Sequence, residues 1–324
     1  LGTLYQCNPY PWEHFSVDTI LLNAYNILLA SKKDIGPIKK HIGTKSGIMM
    51  DSGGFQFQHK SEVSVSPEEI LKFYKMTKPD IGVVLDHPFS PMNIDDNFKR
   101  WKTTLKNTKF MLENSHDIVL MPVIHGYTPK MIKKACIQIK RICEPEVIGI
   151  GSLVPILKST KSSSINELNG KKATEFLVDS IRLVREEFED SMLHAFGVGG
   201  TTTMHLMYGL GVDSIDSIGW RMKAAFGAIQ LPGLGDRFIA PKYRRKGLCT
   251  KEESLLLNCD CPICQNKDLI ERKNVLSNQY PRTFKNRAVH NAFVFNKERE
   301  EFIKNLDNKN IENFINERLG GTQY

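Results

Sequence analysis

The sequence predicts an α/β fold, a (β/α)8 barrel with a metal-binding insertion or appendage near its C-terminus. Three observations lead there. Short apolar runs alternate with amphipathic stretches, polar or glycine-rich residues follow nearly every run, and three cysteines crowd the late part of the chain. Alternating buried-type strands and helices build a parallel sheet with crossover helices. A doubly wound sheet usually carries one phosphate-binding glycine loop after its first strand. Here the polar ends are spread over many strands, which is the pattern of a barrel.

The strand-length runs are Gly47–Met50, Ile81–Leu85, Ile118–Ile124, Val147–Ile150, Met192–Val198 and Ser214–Ile218. Between them, Pro67–Thr77 reads as a helix, with Ser66 as N-cap and Glu68 and Glu69 in its first turn. Asn93–Asn114, Pro129–Cys143 and Ala173–Glu189 are longer, with apolar residues at three- and four-residue spacing. The run ends are Asp51–Gly54, Asp86–Pro88, His125–Gly126, Gly151–Ser152, Gly197–Gly200 and Asp216. The expected organisation is a catalytic barrel over 1–240, a basic zinc-binding subdomain over 241–296 and a C-terminal helix over 297–324 that packs back on the barrel.

The chain has 324 residues, 41% hydrophobic and 25% charged, with a mean hydropathy of −0.30. Disorder and low-complexity architecture are excluded by that composition. The longest apolar candidate, Ile20–Ala30, is interrupted by Asn23 and Asn26, so no membrane span or membrane partner is expected. No basic, apolar and small-residue series opens the chain, and the expected location is cytoplasmic. The net charge of +8 suits a polyanionic partner without requiring one. Its location is more telling: Arg221–Thr250 holds seven Lys or Arg and one acid, Asp236, and so carries +6. Arg221, Lys223, Lys242, Arg244, Arg245 and Lys246 are the candidate phosphate contacts.

Cys259, Cys261 and Cys264, with His290 further on, supply three thiolates and an imidazole. That donor set suits a closed, structural Zn²⁺ site rather than a disulfide framework. Spacing by itself does not single out His290 among nine histidines. Asp51, Asp86 and Asp216 each end an apolar run, and in a barrel they converge on one mouth. Carboxylates there suit glycosyl chemistry, one attacking an anomeric carbon and another moving a proton. A lone Asp after a strand also serves as a cap or turn former, a reading that weakens for Asp51 within Asp51-Ser-Gly-Gly-Phe-Gln56.

In these residues the sequence resembles the guanine transglycosylase superfamily, best known for the tRNA-guanine transglycosylases. Asp51-Ser-Gly-Gly-Phe-Gln56 is similar to the family's DSGG(F/Y)Q segment, and Leu22-Asn23-Ala24-Tyr25 to its LGNTY pocket segment. Gly211-Val212-Asp213-Ser214-Ile215-Asp216 is similar to GVDxFD. Ile124-His125-Gly126 stands where Gln-Gly is usual, and Ile150-Gly151-Ser152-Leu153 where Gly-Gly-Leu is usual. The resemblance implies a pentosyltransferase in which Asp216 is the covalent nucleophile and Asp51 the general acid/base. It implies a base pocket of Asp86, Phe55, His125, Gly151, Ser152, Leu153, Phe196 and Asn23. The Cys₃His group occupies the family's zinc position.

Departures refine the expectation. The Pro-Thr-Arg segment of the tRNA enzymes is replaced after Asp216 by Ser217-Ile-Gly-Trp220-Arg221-Met-Lys223-Ala-Ala-Phe226. This tail resembles the DNA-modifying branch (DpdA type), which inserts 7-deazaguanines. The family's Glu after Gly-Gly-Leu is replaced by Val154-Pro-Ile-Leu157, which leaves an aminomethyl cation without a partner. The expected reaction is exchange of guanine in a polynucleotide, DNA over tRNA, for a 7-deazaguanine base, the 7-cyano form favoured. The alternatives are a tRNA-guanine transglycosylase and a catalytically silent nucleic-acid-binding partner subunit. A homodimer or helper proteins stay open as partners.

Overall fold

The computed structural model describes residues 8–30, 35–57, 64–90, 95–115, 117–154, 170–242 and 245–320. The chain divides into two compact units. The first contains Asp18–Val198 and Leu210–Asp216, and the second Cys7–Val17, Gly199–Gly209 and Ser217–Tyr324.

The first unit is parallel α/β. Its strands are β1 (Thr19–Asn23), β2 (Gly47–Asp51), β3 (Ile81–Val83), β4 (Val119–Met121), β5 (Val123–Ile124), β6 (Val147–Ile150), β7 (Met192–Ala195) and β8 (Ser214–Ile215). They form two four-stranded sheets, β1-β2-β3-β4 and β5-β6-β7-β8. Every pair is parallel. Within each sheet every strand lies beside its sequence neighbour with no reversal of order, as in a barrel wall; a doubly wound sheet must reverse. β4 and β5 belong to one apolar run that Pro122 interrupts, because proline offers no ladder N–H. The ladder still continues across the break, since Gly149 N–H donates to Pro122 O at 2.8 Å. All four residues of β6 are buried, as expected of a parallel strand covered on both faces.

Helices Pro67–Thr77, Asp95–Glu113, Pro129–Lys140 and Gly170–Glu187 link the strands. Ser66 and Glu69 close a capping box, and Thr128 caps Pro129–Lys140 by accepting from Met131 N–H at 3.1 Å. β1 was not among the expected strands. Ile20–Ala30 is in fact a strand that turns directly into the helix Ala24–Ala30. No Gly or Pro punctuates that change, so the apolar run hides it.

The second unit is helical, with Thr203–Gly209, Gly219–Ala225, Thr250–Leu257, Leu269–Val275, Phe284–Asp307 and Ile311–Leu319. Ile229, Leu231, Leu256 and Leu276 pack around Cys261 and Cys264 as a small core. The late helix begins at Phe284, ahead of the expected Lys297. It lacks a capping side chain that would announce its start. Arg287 Nε donates to Ala224 O at 2.9 Å and Asn291 Nδ2 to Trp220 O at 3.0 Å, so this helix holds Gly219–Ala225. Buried Glu298 joins His205 Nε2 (2.8 Å), Arg318 Nε (3.0 Å) and Gly233 N–H (3.0 Å). No helix among the described residues is long and apolar enough to cross a membrane.

Candidate active site

The carboxyl ends of β2, β3, β5, β6, β7 and β8 carry the polar residues that the sequence singles out. Asp51 is the last residue of β2 and only 9% exposed. Burial raises its pKa to about 7, with the charges of Asp86 and Asp216 acting in the same direction. Hydrogen bonds from Gly53 N–H and the Asn23 side chain oppose the rise. The charge of Asp216, just after β8, is therefore felt at Asp51, at the end of β2.

Asn23, at the end of β1, faces two ways. Its Nδ2 donates to Asp51 Oδ2 at 3.1 Å, and its Oδ1 accepts from Asn26 N–H at 2.9 Å. The side chain therefore orders the first helical turn and aims the carboxylate together. The following Gly53 has φ +101°, and a Cβ there would lie 2.5 Å from Tyr25 Cβ. Only glycine fits that turn. A Cβ on Gly54 would stand 2.0 Å from Asp86 Oδ1, so the turn lays its backbone on the second carboxylate. Below, the fully buried Tyr74 hydroxyl lies 2.8 Å from both Met50 O and Val83 O. It ties β2 to β3 just beneath Asp51.

Asp86 Oδ2 accepts from His125 Nε2 at 2.8 Å, and His125 Nδ1 lies 3.0 Å from Ser152 Oγ. Ser152 Oγ also accepts from Phe89 N–H at 2.9 Å. With Ser152 donating to Nδ1, the imidazole proton sits on Nε2 and faces Asp86. Both ring nitrogens of His125 are thus engaged within the protein, and the ring is buried. Gly151 makes room for it, since a Cβ there would lie 2.6 Å from His125 Cε1. Ser152 has φ +63°, a left-handed conformation that glycine adopts without strain. Its hydroxyl joins His125 to the Phe89 backbone, a link that glycine could not make. Leu153 is buried beside it.

Asp216 follows β8. Its Oδ1 accepts from Gly197 N–H at 2.6 Å and lies 3.4 Å from Nε2 of the buried His194. His194 packs edge-on against Phe196, with ring centroids 4.4 Å apart. Phe196 is half-buried, whereas Phe55 is 58% exposed. Nothing local marks His194; only the β7–β8 pairing sets it beside Ser214 and Asp216. Val154 of the expected apolar replacement is described, and 155–157 lie outside the described residues.

In the second unit, His290 Nδ1 lies 3.6, 3.5 and 3.6 Å from the sulfurs of Cys259, Cys261 and Cys264. All four donor atoms fall within 4.8 Å of one another. A tetrahedral Zn²⁺ with ordinary Zn–S and Zn–N bonds would place sulfur and nitrogen about 3.5 Å apart. His290 Nε2 donates to Gln230 O at 2.9 Å, which leaves Nδ1 with its lone pair toward the thiols. The group could therefore hold a metal ion.

The six basic candidates differ in availability. Lys223 pairs with Asp236, Lys242 Nζ donates to Phe226 O at 3.1 Å, and Arg221 lies over the Phe284 ring at 5.6 Å. Arg245, over the Phe238 ring at 5.3 Å, and Lys246 are exposed. Arg244 lies outside the described residues.

A family model described as queuine tRNA-ribosyltransferase matches residues 2–323. A tRNA-guanine(15) transglycosylase of Pyrococcus abyssi is 25% identical over 316 residues, covering 96% of this chain and 49% of that protein. The Methanosarcina mazei protein of the same name is 27% identical over 281 residues, 82% of this chain and 51% of its own length. That of Archaeoglobus fulgidus is 23% identical over 316 residues, with shares of 95% and 59%. The chain spans about half the length of the curated relatives it matches.

Proposed function

The chain belongs to the queuine tRNA-ribosyltransferase family, and from that membership we propose that it exchanges guanine in a polynucleotide for a 7-deazaguanine base. The observation that carries this reading is the group of three carboxylates at strand ends, with Asp51 held near neutrality and Asp216 anchored through one oxygen. Asp216 attacks C1′, and the C1′–N9 bond breaks toward guanine, which takes a proton from Asp51. The incoming base then loses its N9 proton to the Asp51 carboxylate, attacks C1′ and releases Asp216. A carboxyl group titrating at about 7 suits both directions of that transfer.

Asp86 receives the guanine-like edge, and His125 and Ser152 act through it. Asn23, Gly151 and Leu153 shape the pocket, and Phe55 and Phe196 supply stacking faces. The target base must leave any stack to reach such a site. Val154 supports a neutral 7-substituent, the cyano form, over an aminomethyl cation. The Cys₃His group holds a structural Zn²⁺ that takes no part in the exchange.

The names of the relatives favour tRNA as the polynucleotide. DNA is the second reading, supported by Ser217–Phe226, whose Phe226 ring is 67% exposed and free to stack on a base. Incubation with labelled guanine and either bulk tRNA or duplex DNA separates the two by which one becomes labelled. Asp216→Ala should abolish labelling and the covalent adduct; labelling that survives removes Asp216 as nucleophile. A silent partner subunit would label neither.

A further inference from the structure

We propose that His194 is a positioning residue for Asp216, donating from Nε2 to Oδ1 and easing the departure of the carboxylate when the glycosyl ester breaks. The inference rests on Asp216 as the nucleophile. β7 and β8 pair with His194 opposite Ser214, and His194 Nδ1 lies 2.7 Å from Ser214 Oγ. A lone pair on Nε2 would face the Asp216 carboxylate with repulsion. The proton therefore belongs on Nε2, and the Ser214 hydroxyl donates to Nδ1.

Nε2 is buried, makes no hydrogen bond among the described residues, and stands 3.4 Å from Oδ1. A small rotation of the carboxylate would satisfy it, and an unsatisfied buried donor favours that rotation. Phe196 against the ring keeps the imidazole aimed. Oδ1 is already anchored by Gly197 N–H, which leaves Oδ2 to attack.

The two steps use these donors unequally. In the first, the C1′–Oδ2 bond forms and the C1′–N9 bond breaks, so Oδ1 becomes the carbonyl oxygen of a neutral ester. In the second, the C1′–Oδ2 bond breaks and its electron pair returns to the carboxylate, where charge develops on Oδ1. A donor at Oδ1 stabilises the carboxylate more than the ester. Removing it should slow release of Asp216 without slowing its attack, so the adduct accumulates.

The test mixes the full chain with guanine-containing RNA or DNA oligonucleotides and labelled guanine, and measures exchange and the fraction of denaturant-stable adduct. His194→Asn keeps an amide near Nδ1 for Ser214 but does not reach Asp216, whereas His194→Gln places its amide near Nε2. Asn should exchange about tenfold more slowly with a larger adduct fraction, and Gln should stay within about threefold of wild type. Ser214→Ala, which frees the tautomer, should shift both readouts the same way by less. Exchange at the wild-type rate in His194→Asn, or exchange and adduct lost together, overturns the proposal. Absence of adduct from the wild-type protein with either oligonucleotide would remove Asp216 as nucleophile, and this inference with it.

Discussion

At the scale of single residues, the site is defined by what surrounds each carboxylate. Asp51 titrates near 4 when unfolded and at about 7 when folded. Between those values the folded chain binds more protons than the unfolded one. Stability is therefore greatest below pH 4 on this account, and falls as pH rises to about 7. Asp51→Asn removes the buried charge, so it should unfold at higher urea than wild type at pH 8. The gain should be roughly 2–4 kcal/mol, with little difference at pH 4 and with exchange lost. Equal midpoints at pH 8 would mean that the folded site tolerates the ionised carboxyl. Asp51, Asp86 and Asp216 were legible because each ends an apolar run. His194 was not, because a histidine inside a strand carries no sign of the neighbouring strand it will face. Ser152 was legible as a position, but its hydrogen bonds to His125 and Phe89 were not.

At the scale of elements, most strands and helices follow from alternation and capping residues, and their ends are where the sequence misled. β3 stops at Val83 and β7 at Ala195, earlier than their apolar runs, because the chain leaves the ladder to form the site. In the second unit, the Thr250–Leu257 and Leu269–Val275 helices flank the cysteine cluster, and the surrounding apolar core is small. Such a core rarely suffices alone, so a bound ion should contribute much of its stability. Chelation should lower the unfolding temperature and reduce the helical circular dichroism signal, with recovery on adding Zn²⁺. Metal analysis should find zinc equimolar with protein. An unfolding curve unchanged by chelator, or native protein without zinc, would rule out the structural ion.

At the scale of the whole molecule, the surplus of +8 is concentrated in Arg221–Thr250, but its residues are not equivalent. Lys223 is already paired, whereas Arg245 and Lys246 expose their charges. Arg245→Ala and Lys246→Ala together should weaken polynucleotide binding and lower its salt slope by about 1–2. Lys223→Ala should change the slope little. Equal slopes for the double variant and wild type would mean that these two side chains contact no phosphate. The sequence by itself determined the parallel α/β class, the carboxylates at the strand ends, the three clustered thiols and the place of the charge. Each of these is written in local order: apolar period, residue type and spacing. Only the tertiary structure decided that Asp216 bears on Asp51, that His125 is spent on Asp86 and Ser152, and that His194 faces Asp216. Those relations join residues separated by tens of positions, and strand pairing, which no local pattern encodes, brings them within hydrogen-bonding or electrostatic reach.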